Sequence, residues 1–304
     1  MNNTEKQSNK GIIGLTAAMV IFGTVGIFRK YIDLPSSMIA MARGLIGTLF
    51  LLILLACKRQ RLDRAAIRKN AVMLLISGIC IGFNWILLFE SYRYTTIATA
   101  TLCYYMAPVI VILAAPILLK ERMTAKDLAC VLLAVMGIVL VSGLPDTGAG
   151  TQNTLGILLG LGAAVLYASV ILMNKKITDI GAVDKTGVQL AAAGAIMIPY
   201  LLLTEDVTAI SYTPKSLILL ILVAILHTGF AYTLYFGAIG SLPAQTAAIF
   251  SYVDPVVAII LSAILFDERM TVGGVIGAVL ILGATLLREL PIFQKRQKSN
   301  EGEN

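Results

Sequence analysis

The chain has 304 residues, 58% of them hydrophobic and 13% charged, and a formal charge of +7. Soluble domains carry about a quarter charged residues, whereas a bilayer-crossing helix needs about 20 apolar ones. The composition therefore fits about ten membrane spans and excludes a sizeable catalytic domain outside the membrane.

Apolar runs broken by charge, Pro or Asn predict ten helices, at 12–30, 36–57, 71–92, 95–118, 125–144, 154–174, 185–204, 215–239, 243–266 and 271–288. The fold class expected is an all-α integral membrane protein. The first segment follows Lys6 and Lys10 like a signal peptide. It ends in no small-x-small site and has a counterpart later in the chain, so it is expected to be retained. The connections are short, so successive helices run antiparallel.

With the N-terminus placed in the cytoplasm, eighteen of the 24 Lys and Arg residues fall inside and five outside, and Arg43 lies within a span. Six of the inside cations belong to the 58–70 connection. This is the positive-inside pattern. It places both termini in the cytoplasm of a cell membrane (plasma or inner) and explains the +7 without a nucleic-acid partner. Cys57, Cys80, Cys103 and Cys130 share no Cys-x-x-Cys spacing, and with a single histidine no metal site and no cofactor is expected.

The sequence repeats itself. Glu121-Arg122-Met123-Thr124 recurs as Glu268-Arg269-Met270-Thr271, at an offset of 147. The same offset pairs Val109-Pro108 with Val256-Pro255, Tyr105 with Tyr252 and Gly82-Phe83 with Gly229-Phe230. The first and sixth segments match near an offset of 146, with Ala17-Ala18 against Ala163-Ala164 and Lys30 against Lys176. The expected domains are 1–144 and 154–290, five helices each, and a basic cytoplasmic tail at 291–304. Five is odd, so the second unit crosses the membrane in the opposite sense. Inverted repeats are the architecture of alternating-access transporters.

Candidate site residues follow from the cost of polarity in the membrane, on the order of 2.5–3.5 kcal/mol for a centrally placed charge. Asp254 precedes Pro255, whose ring and missing N–H open the helix a turn earlier. Ala247, Ser251, Asp254, Ala258 and Ser262 share one small, polar face. Pro108 gives the fourth segment the same break. Asp254 is thus a candidate amine or proton site, walled by Tyr104, Tyr105 and Tyr252, or else the partner of Arg43 in an ion pair that ties helices together. Arg43 suits a substrate carboxylate through its forked donors. Asn84 offers an amide and Trp85 an indole face for cation–π contact. His227 and Glu90 are further proton-coupling candidates, against plain packing for His227 and an i,i+3 pair with Arg93 for Glu90. Three Gly-x-x-x-Gly pairs, Gly78/Gly82, Gly156/Gly160 and Gly273/Gly277, permit close helix approach.

These motifs resemble the EamA-type branch of the drug/metabolite transporter superfamily. Phe22-Gly23 stands where that family has Trp-Gly, Met41-Ala42-Arg43-Gly44 resembles its second-helix arginine motif, and the stretches Tyr92–Thr96, Ala107-Pro108 and Lys120–Thr124 resemble its third-to-fifth-helix region. Asp254-Pro255 and Asp267–Thr271 repeat the last of these. The resemblance implies two EamA-like units and export of amino acids or other small metabolites, driven by proton exchange or by the solute gradient. Small multidrug relatives bind cations with a first-helix Glu, but neither 12–30 nor 154–174 contains an acid.

The leading expectation is a secondary-active exporter of small, zwitterionic or amphiphilic metabolites, amino acids first, with a small-molecule substrate, protons and membrane lipids as its partners. It is not an enzyme. A facilitative uniporter or exchanger, a cationic drug efflux protein, a passive channel and an intramembrane enzyme are the alternatives; monomer and homodimer both remain open.

Overall fold

Each predicted apolar run forms helix in the computed structural model, which describes residues 3–118, 123–141, 151–239, 242 and 250–289. The first segment is α1 (Asn3–Gly23) plus α2 (Val25–Tyr31), and the second is α3 (Ser36–Cys57). The third, α4 (Arg64–Tyr94), begins well before the expected 71, because the Asp63 carboxylate caps it by accepting from Ala66 N at 3.0 Å. The fourth is α5 (Ile97–Tyr104) with α6 (Ala107–Leu118); α7 (Ala125–Val141), α8 (Thr151–Lys176) and α9 (Ala182–Thr204) follow. The eighth is α10 (Pro214–Val223), a π-helical turn (Ala224–Phe230) and α11 (Ala231–Ile239). Last come α12 (Val253–Phe266) and α13 (Val272–Glu289). Among the described residues, seven helical stretches are long and apolar enough to cross a membrane, beside the shorter apolar helices Val253–Phe266 and Val272–Ala284. Lys120, Glu121 and Arg122, residues 142–144, the beginning of the ninth segment with Ala247, and the 291–304 tail lie outside the described residues.

Many large apolar side chains point away from the bundle, among them Ile117, Leu203, Val272 and Val279, as contact with lipid favours. Inside, small residues bring backbones together. A Cβ at Gly277 would lie 2.5 Å from the Gly137 carbonyl oxygen, so α7 and α13 meet backbone to backbone. Of the six paired glycines singled out in the sequence, Gly273 alone has no neighbour closer than 3.8 Å.

The principal helix pairs are α4 with α8 and α9, α3 with α9 and the π-helical turn, α1 with α11 and α12, α5 and α6 with α8, α5 with α12, and α7 with α13. Numbered by segment, 3–6, 4–6 and 3–7 become 8–1, 9–1 and 8–2 when the halves are exchanged, while 2–7, 4–9 and 5–10 are unchanged. These pairings map onto one another, whereas α3 with α4 (segments 2–3) and α2 with α4 (1–3) have no counterpart of similar extent between segments 7–8 and 6–8 among the described residues.

Polar contacts mark the two ends of the bundle. At one end Thr95 Oγ1 donates to Asn153 Oδ1 (2.5 Å), Asp33 N to Ser216 Oγ (3.2 Å) and Ile97 N to Glu268 Oε2 (2.9 Å). At the other, Lys69 Nζ donates to Asp179 Oδ2 (2.7 Å) and Asn70 Nδ2 to the Thr178 carbonyl (3.0 Å). The Lys69 hydrogen bond holds the Asp179 carboxyl below its ordinary range. The beginning of the fourth segment and the end of the ninth therefore sit at the same end.

Candidate functional site

Three helix interruptions surround the middle of the bundle. Pro108 cannot donate to the Tyr104 carbonyl, and the chain turns at Tyr105-Met106 between α5 and α6. Pro255 likewise leaves the Ser251 carbonyl without its helical donor, and α12 starts only after Tyr252. The Tyr105 hydroxyl reaches this spot: its oxygen is 2.9 Å from Asp254 Oδ2, to which it donates, and 3.4 Å from the Ser251 oxygen. The helix is interrupted ahead of both prolines, and the residues paired by the repeat, Tyr105 and Tyr252, have ring centroids 6.3 Å apart. The third interruption, between α1 and α2 at Thr24, has no proline.

The tyrosines extend as a wall. Tyr104 lies 6.2 Å from Tyr105 and stacks on Tyr167 of α8 at 5.1 Å. Sequence reasoning missed Tyr167, since its repeat counterpart is Ile21 and no local motif marks it.

Arg43 forms the opposite pole. Only 5% exposed, it lays its guanidinium over the Trp85 ring (4.1 Å) and near Phe89 (5.4 Å), and Nε donates to Thr228 Oγ1 at 3.0 Å. Stacking on aromatic faces offsets part of the desolvation of a buried cation. Trp85 is therefore the platform of Arg43. Nη1 and Nη2 make no hydrogen bond to any described residue, and no ion pair joins Arg43 to Asp254 among them. Tyr92 and Tyr104 lie within electrostatic range of both Arg43 and Asp254, and Tyr232 of Arg43. The two charges thus border one tyrosine-walled region without neutralising each other.

Three other candidates are placed elsewhere. Asn84 is buried and its Nδ2 donates to the Ala163 carbonyl of α8 at 2.6 Å, so one of its amide N–H groups clamps two helices. Glu90 lies at the end of α4 in a charge network: it accepts from Ser36 Oγ (2.5 Å) and from Arg93 Nη1 (3.1 Å), with Arg29 Nη2 at 3.8 Å. The expected i,i+3 pair with Arg93 forms, joined by Arg29, which is buried rather than a loop cation. His227 sits fully buried in the π-helical turn, its Nε2 2.9 Å from Thr24 Oγ1. That hydroxyl donates to the Ile21 carbonyl at 2.7 Å, so its lone pair receives the Nε2 proton; this network assigns the tautomer. Nδ1 is left bare and without a partner. π-Helical turns are frequent at functional sites, and this one faces the Thr24 break.

No group of three or more His, Cys, Asp or Glu side chains among the described residues is arranged to hold a metal ion. The chemistry on offer is recognition: one buried cation with two open donors, one carboxylate held by a phenol, and aromatic faces between them.

The model of the EamA-like transporter family matches residues 9–143 and again 154–288. The chain is 27% identical over 298 residues to the uncharacterized transporter YxxF of Bacillus subtilis (strain 168), covering 98% of this chain and 94% of that one. It is 25% identical to Protein RarD of Escherichia coli (strain K12), over 87% of this chain and 88% of RarD. Against Protein PecM of Dickeya dadantii (strain 3937) it is 23% identical, over 74% and 76%. One chain of known crystal structure superposes with a TM-score of 0.64 at 18% identity, covering 95% of this chain and 99% of its own, which speaks to the fold alone.

Proposed function

The chain belongs to the EamA-like transporter family, and we propose that it is a secondary-active exporter that moves small zwitterionic metabolites, amino acids first among them, by alternating access. That it is a multi-pass membrane transporter of the drug/metabolite transporter superfamily, and not an enzyme, follows from the two family matches and the transporter relatives. Substrate, direction, mechanism and topology are our reading.

Ten spans arranged as two inverted five-helix units fit the exchangeable packing plan. They fit equally the meeting of Ile97, at the beginning of one repeat's fourth helix, with Glu268, at the end of the other's. With the cation distribution of the sequence, the Glu268 end is the outer face and both termini are cytoplasmic. Inverted units exchange conformations and so expose a central site to either side in turn.

The observation that carries the substrate class is the failure of Arg43 and Asp254 to pair. In a low-dielectric interior opposite charges attract strongly, yet each here is satisfied by neutral groups, Thr228 and Trp85 for one and Tyr105 for the other. A zwitterion supplies what each lacks: its carboxylate meets the open Nη1/Nη2 fork, and its ammonium meets the Asp254 carboxylate. Asp254 is also the residue best placed to exchange a proton for the substrate amine, with His227 second.

The test is uptake of a pooled amino-acid and metabolite panel into liposomes holding the purified protein, with and without a pH gradient, beside Asp254→Asn. Gradient-stimulated uptake lost in the variant supports proton-coupled transport through Asp254. Saturable uptake that ignores the gradient selects facilitated exchange. Protein that is folded and moves no amino acid or related zwitterion overturns the substrate assignment.

A further inference from the structure

At the outer end of α2 a cleft of about 410 Å³ is lined by Arg29, Lys30, Tyr31, Asp33, Tyr92 and Arg93. Tyr92 is only 4% exposed. It lines this cleft and belongs to α4, the helix whose Trp85 and Phe89, about two turns and one turn earlier, carry Arg43. Tyr92 thus stands on α4 between the outer cleft and the aromatic platform of Arg43. It is wedged there: a Cβ on Gly26 would come within 3.3 Å of Tyr92 Cζ and 2.7 Å of Ile97 Cγ2, so α2, α4 and α5 close on one another at this level.

The closure is held by one carboxylate. Glu268, just past the end of α12, has a side chain only 11% exposed. It accepts from Lys30 Nζ of α2 and from Ser262 Oγ of α12, and it caps α5 by accepting from Ile97 N at 2.9 Å. Lys30 in turn lies over the Phe266 ring at 5.2 Å. The outer ends of the first, fourth and ninth segments, drawn from both repeats, are tied through a single side chain. For these helices to part, its two bonds to other segments, from Lys30 and from Ile97 N, must break or be exchanged for water, while the Ser262 bond stays within its own segment.

We propose that Glu268 is the latch of the outer gate, holding Tyr92 as the plug between the outer cleft and the Arg43–Asp254 region while the transporter is closed to the outside. The inference rests on the alternating-access reading. Glu268 is a positioning residue: it acts through Lys30 and the α5 N-terminus, and it touches no substrate. The geometry also identifies Lys30 as its partner in trans, so loss of either end of the ion pair releases the same closure.

The test is a distance measurement that needs no substrate. Spin labels are placed at residue 33, which lines the cleft, and residue 269, next to Glu268, in a variant with Cys57, Cys80, Cys103 and Cys130 replaced. Their distance distribution is recorded by pulsed electron resonance in lipid nanodiscs for the parent, Glu268→Gln, Lys30→Met and the double variant. The expected result is a second, longer-distance population in each single variant and no further lengthening in the double. A distribution identical to the parent's in both single variants, with each protein monodisperse and folded, overturns the latch. That outcome leaves the transport reading untouched, whereas a parent that moves no solute while the variants still lengthen strikes at the transport reading alone.

Discussion

The pair α4/α8 and the pair formed by α1 with α11 are related by the internal repeat, yet they are packed differently. Gly160 of α8 corresponds to Gly14 of α1 at the offset of 146, and Ser91 of α4 corresponds to Ala238 of α11 at 147. A Cβ on Gly160 would lie 3.2 Å from Ser91 Oγ and 2.8 Å from Cys103 Cβ, whereas one on Gly14 would find nothing nearer than Ala238 Cβ at 3.8 Å. The tight pair is also clamped by side-chain hydrogen bonds: Asn84 to the Ala163 carbonyl, Ser91 Oγ to the Gly156 carbonyl at 2.7 Å, and Thr95 to Asn153. Their repeat counterparts on the other side are Ala231, Ala238 and Leu242, none with a side-chain donor. Both α4 and α8 are uninterrupted, while α1 breaks at Thr24 and its partner segment carries the π-helical turn. One half of an approximately symmetric plan is drawn tight at the Glu268 end, and the matching half is looser at the other. Under the alternating-access reading proposed above, this would be one of two exchangeable states.

The comparison is open to attack by substitution. The largest effect is expected for Gly160→Leu, which forces bulk into the 2.8 Å gap beside Cys103; overpacking of this kind costs about 1–3 kcal/mol, read as a lower unfolding midpoint in detergent. Asn84→Leu keeps the shape but removes the clamp on Ala163, and interhelical bonds of this type contribute about 0.6–1.7 kcal/mol. Should Asn84→Leu leave stability unchanged and abolish transport instead, the amide contacts substrate and the clamp reading falls. Thr24→Val, on the interrupted side, removes the partner of His227 Nε2 for about 0.6 kcal/mol; a slowed turnover out of proportion to that change would make the Thr24 break a moving part. The smallest effect is expected for Gly14→Ala, within about 0.5 kcal/mol of the parent, because its added methyl finds ordinary contact distances. Equal losses at Gly14 and Gly160 would erase the asymmetry.

Much of this was legible in the sequence. The helical segments, the interruptions ahead of Pro108 and Pro255 and the Glu90–Arg93 pair follow from composition, proline chemistry or helical spacing, and the repeat offset pairs Tyr105 with Tyr252. What escaped depends on contacts between segments. The break at Thr24 carries no proline and is visible only with His227 opposite it. Asn84 reads as a substrate amide because sequence cannot show that Ala163 offers its carbonyl. Trp85 reads as a substrate platform, and only packing reveals that Arg43 already occupies its face. Glu268 appears in the sequence as part of a repeated tetrapeptide, but its bonds to Lys30 and Ile97 join residues more than 170 positions apart.

The claim that Arg43 and Asp254 receive the two ends of a zwitterion is tested most directly by changing one end at a time. Proteoliposomes with the parent, Arg43→Gln and Asp254→Asn are compared for uptake of an amino acid that the parent transports, in competition with its amide and with its des-amino acid. The parent is expected to reject both competitors. Arg43→Gln is expected to lose at least about tenfold in zwitterion uptake, equivalent to about 1.4 kcal/mol, and to stop discriminating against the amide. Asp254→Asn should lose a similar factor and stop discriminating against the des-amino acid. Variants that are folded and keep both the parent's rate and its full discrimination would contradict the account.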